Sequence, residues 1–210
     1  MNARTGFPVV VAAPSGTGKT TECREVVARD AQIEFSVSHT TRAQRPRERD
    51  GVDYHFVSPG EFARLIDDGA FLEWAVYNGN RYGTSWAAID APLAAGRDLL
   101  LEIEVQGARQ VRAKRADARF IFLVPPSFAT LRERLERRAE DSAGEIAARL
   151  ELARHELAEG AHFDYAVVNE GLERCVGEVL EILAAERAGD TARLRERYAP
   201  GPLIAKLLEE

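Results

Sequence analysis

Apolar runs and helical patterns alternate along this chain. Residues 7–12, 98–103, 119–124 and 165–168 are short stretches rich in Val, Ile, Leu and Phe, flanked by polar or turn-forming residues. They read as buried strands. Residues 18–28, 106–114 and 172–187 carry helical spacing between or after them. Strand and helix in alternation predict an α/β fold: a parallel sheet with helices on both faces. In such sheets ligands sit beyond the carboxyl ends of the strands.

Two stretches break the alternation. Residues 38–84 open with an arginine-dense run, Arg42, Arg45, Arg47 and Arg49, and continue into strand-like pieces at 54–57 and 72–76 around one helix. Ser58-Pro59-Gly60-Glu61 is a capping box with proline in the first turn of that helix. Asn78-Gly79-Asn80 marks a turn. The second stretch, 127–162, is charged and helical. Ser142-Ala143-Gly144-Glu145 is another capping box, opening a helix with Ile146, Leu150, Ala153 and Leu157 on one face and ending at Gly160. The C-terminal 193–210 is helical with a break at Pro200-Gly201-Pro202. The predicted organisation is a core at 1–37, a small mixed α/β insert at 38–84, core again at 85–129, a helical lid at 130–162, and core with C-terminal helices at 163–210.

Composition changes this picture little. The 210 residues are 45% hydrophobic and 30% charged with net charge −6, ordinary for one globular core. A net negative chain does not favour a general nucleic-acid surface. Cys23 and Cys175 form no CxxC motif, and no His/Cys cluster suggests zinc, so two reduced thiols in a cytoplasmic protein are expected. No apolar run approaches the ~18–20 residues that span a bilayer, and the segment before the first strand is too short for a signal peptide.

The chemistry is concentrated in Ala13-Pro14-Ser15-Gly16-Thr17-Gly18-Lys19-Thr20. A buried strand, a glycine-bearing turn and a helix N-terminus make a phosphate cradle, because main-chain N–H groups and the positive end of the helix dipole converge on the anion. Lys19 reaches the β- and γ-phosphates of a nucleotide, and the Thr20 hydroxyl can bind Mg²⁺. Ala13 stands where the general pattern has its first Gly.

The basic runs fit the same chemistry. Ser38-His39-Thr40-Thr41-Arg42 supplies hydroxyl and guanidinium donors for a phosphate monoester. The lid contributes Arg132, Arg134, Arg137 and Arg138, then Arg149; Arg134 and Arg138 share a helix face. Two unit charges ~4 Å apart at an effective dielectric of ~20 repel by ~4 kcal/mol. Joining two phosphate-bearing substrates therefore needs several cations at one point, whatever the net charge.

At this point the chain resembles the guanylate kinase family, of the bacterial type. The matching segments are 13–20, Ser-Val-Ser-His-Thr-Thr-Arg at 36–42, Gly-Val-Asp-Tyr-His-Phe-Val at 51–57, Phe-Leu-Glu-Trp at 71–74 and Gly-Asn-Arg-Tyr-Gly-Thr at 79–84. Leu-Glu-Ile-Glu-Val-Gln-Gly-Ala at 101–108, Phe-Leu-Val-Pro-Pro-Ser at 122–127 and Tyr-Ala-Val-Val-Asn at 165–169 follow in family order, so the match covers nearly the whole chain.

The resemblance implies a P-loop nucleoside monophosphate kinase with a GMP-binding insert and a lid. The implied reaction is ATP + GMP giving ADP + GDP with Mg²⁺, in a monomer or homo-oligomer without nucleic-acid or membrane partners. It implies that Ser38, Arg42, Arg45 and Tyr54 hold the GMP phosphate, that Glu73 and Thr84 read guanine, and that Tyr82 lines the same pocket. Glu102 and Glu104 match the acidic motif after the central strand, Glu102 toward Mg²⁺ and Glu104 toward GMP. Lys19, Arg42, Arg134, Arg138 and Arg149 match the cations of phosphoryl transfer, and Asn169 the loop near adenine. The guanine assignment has its own logic. N1–H and the exocyclic amino group are donors on one edge, which a carboxylate accepts; adenine lacks that pair and leaves the carboxylate unsatisfied.

The chain departs from the family pattern at several positions. Glu stands at 102 and 104 where many members have Asp. Arg47 replaces a common Gly, Arg81 a common aromatic, and Ala139 a lid Gly. Two rival readings share the scaffold. A ribose bisphosphate kinase would keep the phosphate loop but need not keep Glu73 with Thr84. A non-catalytic interaction module typically has an eroded phosphate loop, whereas Lys19 and Thr20 are intact here.

Overall fold

Residues 4–136 and 143–210 are described by the computed structural model. The predicted lid residues Arg137, Arg138 and Ala139, and Ser142 of the second capping box, lie outside them.

The apolar segment Pro8–Ala12 forms β1, buried at every residue. Helix α1, Lys19–Arg29, follows the glycine turn. The chain then forms β2 (Ile33–Phe35), β3 (His39–Thr40), β4 (His55–Phe56), α2 (Pro59–Asp67), β5 (Phe71–Tyr77), β6 (Asn80–Ser85) and α3 (Trp86–Ala94). Next come β7 (Asp98–Glu102), α4 (Val105–Lys114), β8 (Arg119–Val124), α5 (Phe128–Glu136) and α6 (Ala143–Gly160). The chain ends with β9 (Tyr165–Val168), α7 (Leu172–Ala188), α8 (Ala192–Arg197) and α9 (Pro200–Leu208). One sheet has the strand order β2-β7-β1-β8-β9, the other β4-β3-β6-β5.

Two compact units result: Met1–Val10 with Ala31–Arg119, and Val11–Asp30 with Phe120–Glu210. In the first, β2 runs parallel to β7 with Ile33 opposite Asp98. Its second sheet is mixed: β3 pairs β4 in parallel, while β6 pairs both β3 and β5 antiparallel. Asn78 (φ 46°) and Gly79 (φ 74°) make the two-residue hairpin turn joining β5 to β6. Positive φ at both positions matches the right-handed twist of the flanking strands. Ser58 caps α2 by accepting from the Glu61 N–H, with Pro59 in the first turn, as the sequence predicts. The core of this unit includes Phe62, Leu72, Ile89, Leu99, Leu100 and Leu101.

In the second unit β8 and β9 are parallel, Ile121 opposite Tyr165. Helix α1 packs on α7, and α6 on α9. Helix α6 ends at Gly160, as expected, and α7 is closed by Gly189 in the left-handed conformation. The predicted break at Pro200 lies slightly earlier: Ala199 precedes α9, and both prolines sit within it, Pro200 at its start. Proline in a first turn removes only an N–H that has no helical partner.

Strands β2 and β6 and helix α3 carry little sequence signal. Strand β2 is three residues long, β6 is largely polar, and α3 is apolar nearly all round with Pro92 inside it. Among the described residues no helix is long and apolar enough to cross a membrane.

Candidate active site

The donor side lies in the second unit. Gly18, which has no side chain to cap the helix, precedes α1 with φ 104°. That backbone conformation is costly for any residue with a Cβ, and a Cβ here would also press on Asn169 Nδ2 at 3.2 Å and both Glu22 carboxylate oxygens at 3.3 Å. The leading N–H groups of a helix suit an anion. Lys19 is half-buried and Thr20 exposed at the head of the helix, while Ala13 and Pro14 continue the buried strand into the loop.

Side chains from three other elements fix the loop. Arg134 on α5 donates through Nη1 to the Thr17 carbonyl (2.9 Å) and through Nη2 to the Asn169 carbonyl (3.0 Å). Asn169 Nδ2 donates to the Thr17 carbonyl (2.6 Å) and to Glu22 Oε1 (2.7 Å). Ser15 N–H donates to Glu156 Oε2 on α6 (3.1 Å). A cavity of about 380 Å³ opens against Gly16, Thr17, Gly18, Glu22, Arg134 and Asn169. Arg134, which the family resemblance matches to a cation of phosphoryl transfer, also donates from both terminal nitrogens to main-chain carbonyls. Arg149 is half-buried on α6, and Arg138 lies outside the described residues. Burial and the charges of Glu22 and Glu178 push the Cys175 thiol up to about 12, so it is inert.

The residues that the resemblance assigns to the acceptor lie in the first unit. Glu73 on β5 and Thr84 on β6 are cross-strand partners, 3% and 0% exposed. Thr84 donates its N–H (2.9 Å) and its hydroxyl (2.7 Å) to Glu73 Oε1. Ser38 Oγ lies 3.5 Å from Thr84 Oγ1. Gly107 on α4 faces Glu73 Oε2 so closely that a Cβ would collide with it.

Tyr54 and Tyr82 have ring centroids 5.9 Å apart, and the Arg42 guanidinium lies 5.4 Å from the Tyr54 ring centroid. Arg42 forms a two-pronged pair with Glu48, at 2.7 and 3.1 Å. Glu48 also accepts from the Arg45 N–H at 2.8 Å. Arg42 and the Arg45 N–H together hold the Glu48 carboxyl below its usual range, and Glu48 raises Arg42 in turn. Glu102 ends β7 and Glu104 immediately precedes α4, both half-buried.

The structure brings Glu73, Thr84 and Ser38 together, and Arg42, Tyr54 and Tyr82 together, whereas the motifs group Ser38 with Arg42 and Tyr54, and Tyr82 with Glu73 and Thr84. Four residues of the site are absent from that reading: Glu22, Glu48, Gly107 and Glu156. Glu48 had a signal, an acid inside an arginine run. The other three look like ordinary helix positions.

The sequence model of guanylate kinase matches residues 5–186. The chain belongs to the guanylate kinase family.

Guanylate kinases of Syntrophotalea carbinolica and Geobacter sulfurreducens are 47% and 46% identical to it. The first alignment covers 87% of each chain, the second 91% of this chain and 94% of the relative. The crystal structure of guanylate kinase from Anaplasma phagocytophilum superposes with a TM-score of 0.72 at 33% identity, covering 87% of this chain and 86% of that one.

Proposed function

We propose that this chain transfers the terminal phosphoryl group of MgATP to GMP, giving ADP and GDP. The observation that carries the reading is the buried Glu73–Thr84 pair. An ionised carboxylate can accept in about four lone-pair directions, and Thr84 uses two on one oxygen. In the proposed complex Glu73 also accepts from guanine N1–H and the exocyclic amino group. Adenine, with no such donor pair on that edge, loses those bonds, and a buried carboxylate without them costs ~1–3 kcal/mol or more.

Arg42, Arg45, Ser38 and Tyr54 are assigned to the GMP phosphate, Tyr82 to the wall of the guanine pocket, and Glu104 to the GMP side of the acidic motif. Residues 13–20 cradle the ATP phosphates. A GMP phosphate oxygen attacks the γ-phosphorus, the bond to the β–γ bridging oxygen breaks, and ADP leaves. Lys19, Arg42, Arg134, Arg138 and Arg149 neutralise the transferring charge, Arg134 also bracing the loop, and Asn169 lies by the adenine end. Mg²⁺ in such sites binds one or two protein oxygens plus phosphates and water, and the exposed Thr20 hydroxyl beside the phosphate cradle fits that donor set. Glu102 is assigned to it through water. When bound, the ion neutralises phosphate charge.

Turnover of GMP, dGMP, AMP, CMP and UMP with ATP and Mg²⁺ tests the reading. GMP should dominate the panel. Preference for another monophosphate, or for a phosphorylated ribose, would overturn it.

A further inference from the structure

One buried acid of the donor side has no role in the scheme above. Glu22 sits in the first turn of α1 and is 6% exposed. Its Oε1 accepts from Asn169 Nδ2 at 2.7 Å, which fixes the orientation of the carboxylate. Its Oε2 is buried and has no hydrogen-bond partner among the described residues. Glu22 lines the cavity of about 380 Å³ that also borders the phosphate loop. The nearby cation, Arg134, directs its two terminal nitrogens at the carbonyls of Thr17 and Asn169.

A buried carboxylate oxygen without a donor is unfavourable, and beside a phosphate cradle its charge opposes the phosphates. A nucleotide that brings an N–H to that oxygen removes the first cost. Phosphates carry no donor at neutral pH. The donors of ATP are the C6 amino group of adenine and the ribose hydroxyls. The amino group presents two N–H bonds in a rigid plane, so it can meet Glu22 with little loss of rotamer freedom.

We propose that Glu22 reads the base of the phosphoryl donor: Oε2 accepts from the adenine C6 amino group and rejects purines with a C6 carbonyl. This makes Glu22 a specificity-determining residue on the donor side. The inference rests on the assignment of ATP to this cavity.

The test compares kcat/KM for ATP, purine riboside triphosphate (no C6 amino group), inosine triphosphate (C6 carbonyl) and the 2′- and 3′-deoxy forms of ATP. GMP is the saturating acceptor, and the enzymes are the wild type, Glu22→Gln and Glu22→Leu. In the wild type ATP should exceed purine riboside and inosine triphosphates by roughly 10- to 100-fold. Glu22→Leu should bring ATP and purine riboside triphosphate to within about twofold, because no acceptor remains to distinguish them. Glu22→Gln keeps the shape. Its carbonyl turns to Asn169 Nδ2 and its amide N–H₂ faces the base, so inosine triphosphate should equal or exceed ATP.

A purely structural role would lower all donors together and leave the ratios unchanged, which would overturn the proposal. So would a wild type indifferent to the C6 amino group, or a Glu22 effect that follows the deoxyriboses. If Glu22→Leu does not fold, judged by melting and by calorimetric GMP binding, the isosteric Gln variant decides. Failure of the ATP:GMP reading looks different: the wild type would transfer phosphate to GMP from none of these donors.

Discussion

Thr84 gives both its main-chain N–H and its hydroxyl to a single oxygen of Glu73 across the β5–β6 hairpin. That anchors one oxygen of the carboxylate. In Glu73→Gln the amide oxygen would stay with Thr84, and the N–H₂ would point where the second oxygen now lies. GMP affinity measured by calorimetry should fall about 10- to 100-fold, with the bonds from Thr84 retained. Unchanged GMP affinity would remove Glu73 from the guanine pocket.

Gly107 supports the same carboxylate from α4. In an exposed helix interior Ala is better than Gly by roughly 0.5–1 kcal/mol. Here the added methyl would run into Glu73 Oε2. Gly107→Ala should therefore lower both the melting temperature and GMP affinity, against the helix-propensity trend. A stabilised variant with normal GMP binding would show that the contact does not matter.

Glu48 and Arg42 give a pH dependence with a definite sign. Arg42 and the Arg45 N–H hold the folded-state pKa of Glu48 below the ordinary 4.5. The pair's stabilisation is thus fully present above that value and is lost as pH falls through the lower, folded-state pKa. The melting-temperature gap between wild type and Glu48→Gln should be largest near neutrality and close as acid protonates Glu48. A gap that widens in acid would contradict the pairing. Both side chains are partly solvated, so added salt should narrow the gap.

Glu156 holds the phosphate loop from α6 through the Ser15 N–H. Glu156→Ala removes a charged acceptor from a buried position, which should destabilise by ~1–3 kcal/mol. KM for ATP should rise with KM for GMP nearly unchanged, and Glu156→Gln, which keeps an acceptor oxygen, should be milder. Equal rises in both KM values would place the effect elsewhere. Steady-state kinetics with each substrate varied in turn separate the cases.

Much of this site is legible in the residues. Gly18 and Lys19 after an apolar run announce a phosphate loop, since close backbone approach and a helix N-terminus are local properties. Ser58 and Asn78-Gly79 announce a helix start and a hairpin turn for the same reason. Glu73 and Thr84 are eleven positions apart, and only the register of β5 against β6 makes them partners. Strand β2 and helix α3 leave little trace in the sequence because one is three residues long and the other lacks a polar face. Length and two-sidedness are what periodicity measures, and neither element offers enough of them.

The family resemblance implied the acid for the base and the roles of the cations at the acceptor phosphate; the sequence by itself determined the phosphate loop and the alternating order of strands and helices. These follow from side-chain type and from spacing over a few residues. Only the tertiary structure decided that Glu156 clasps Ser15, that Gly107 leaves room for Glu73, and that Glu22 is left with one unpartnered oxygen beside the cavity. Each depends on residues that are distant in sequence or on different elements, and hydrogen-bond satisfaction is a property of the assembled fold rather than of any local segment.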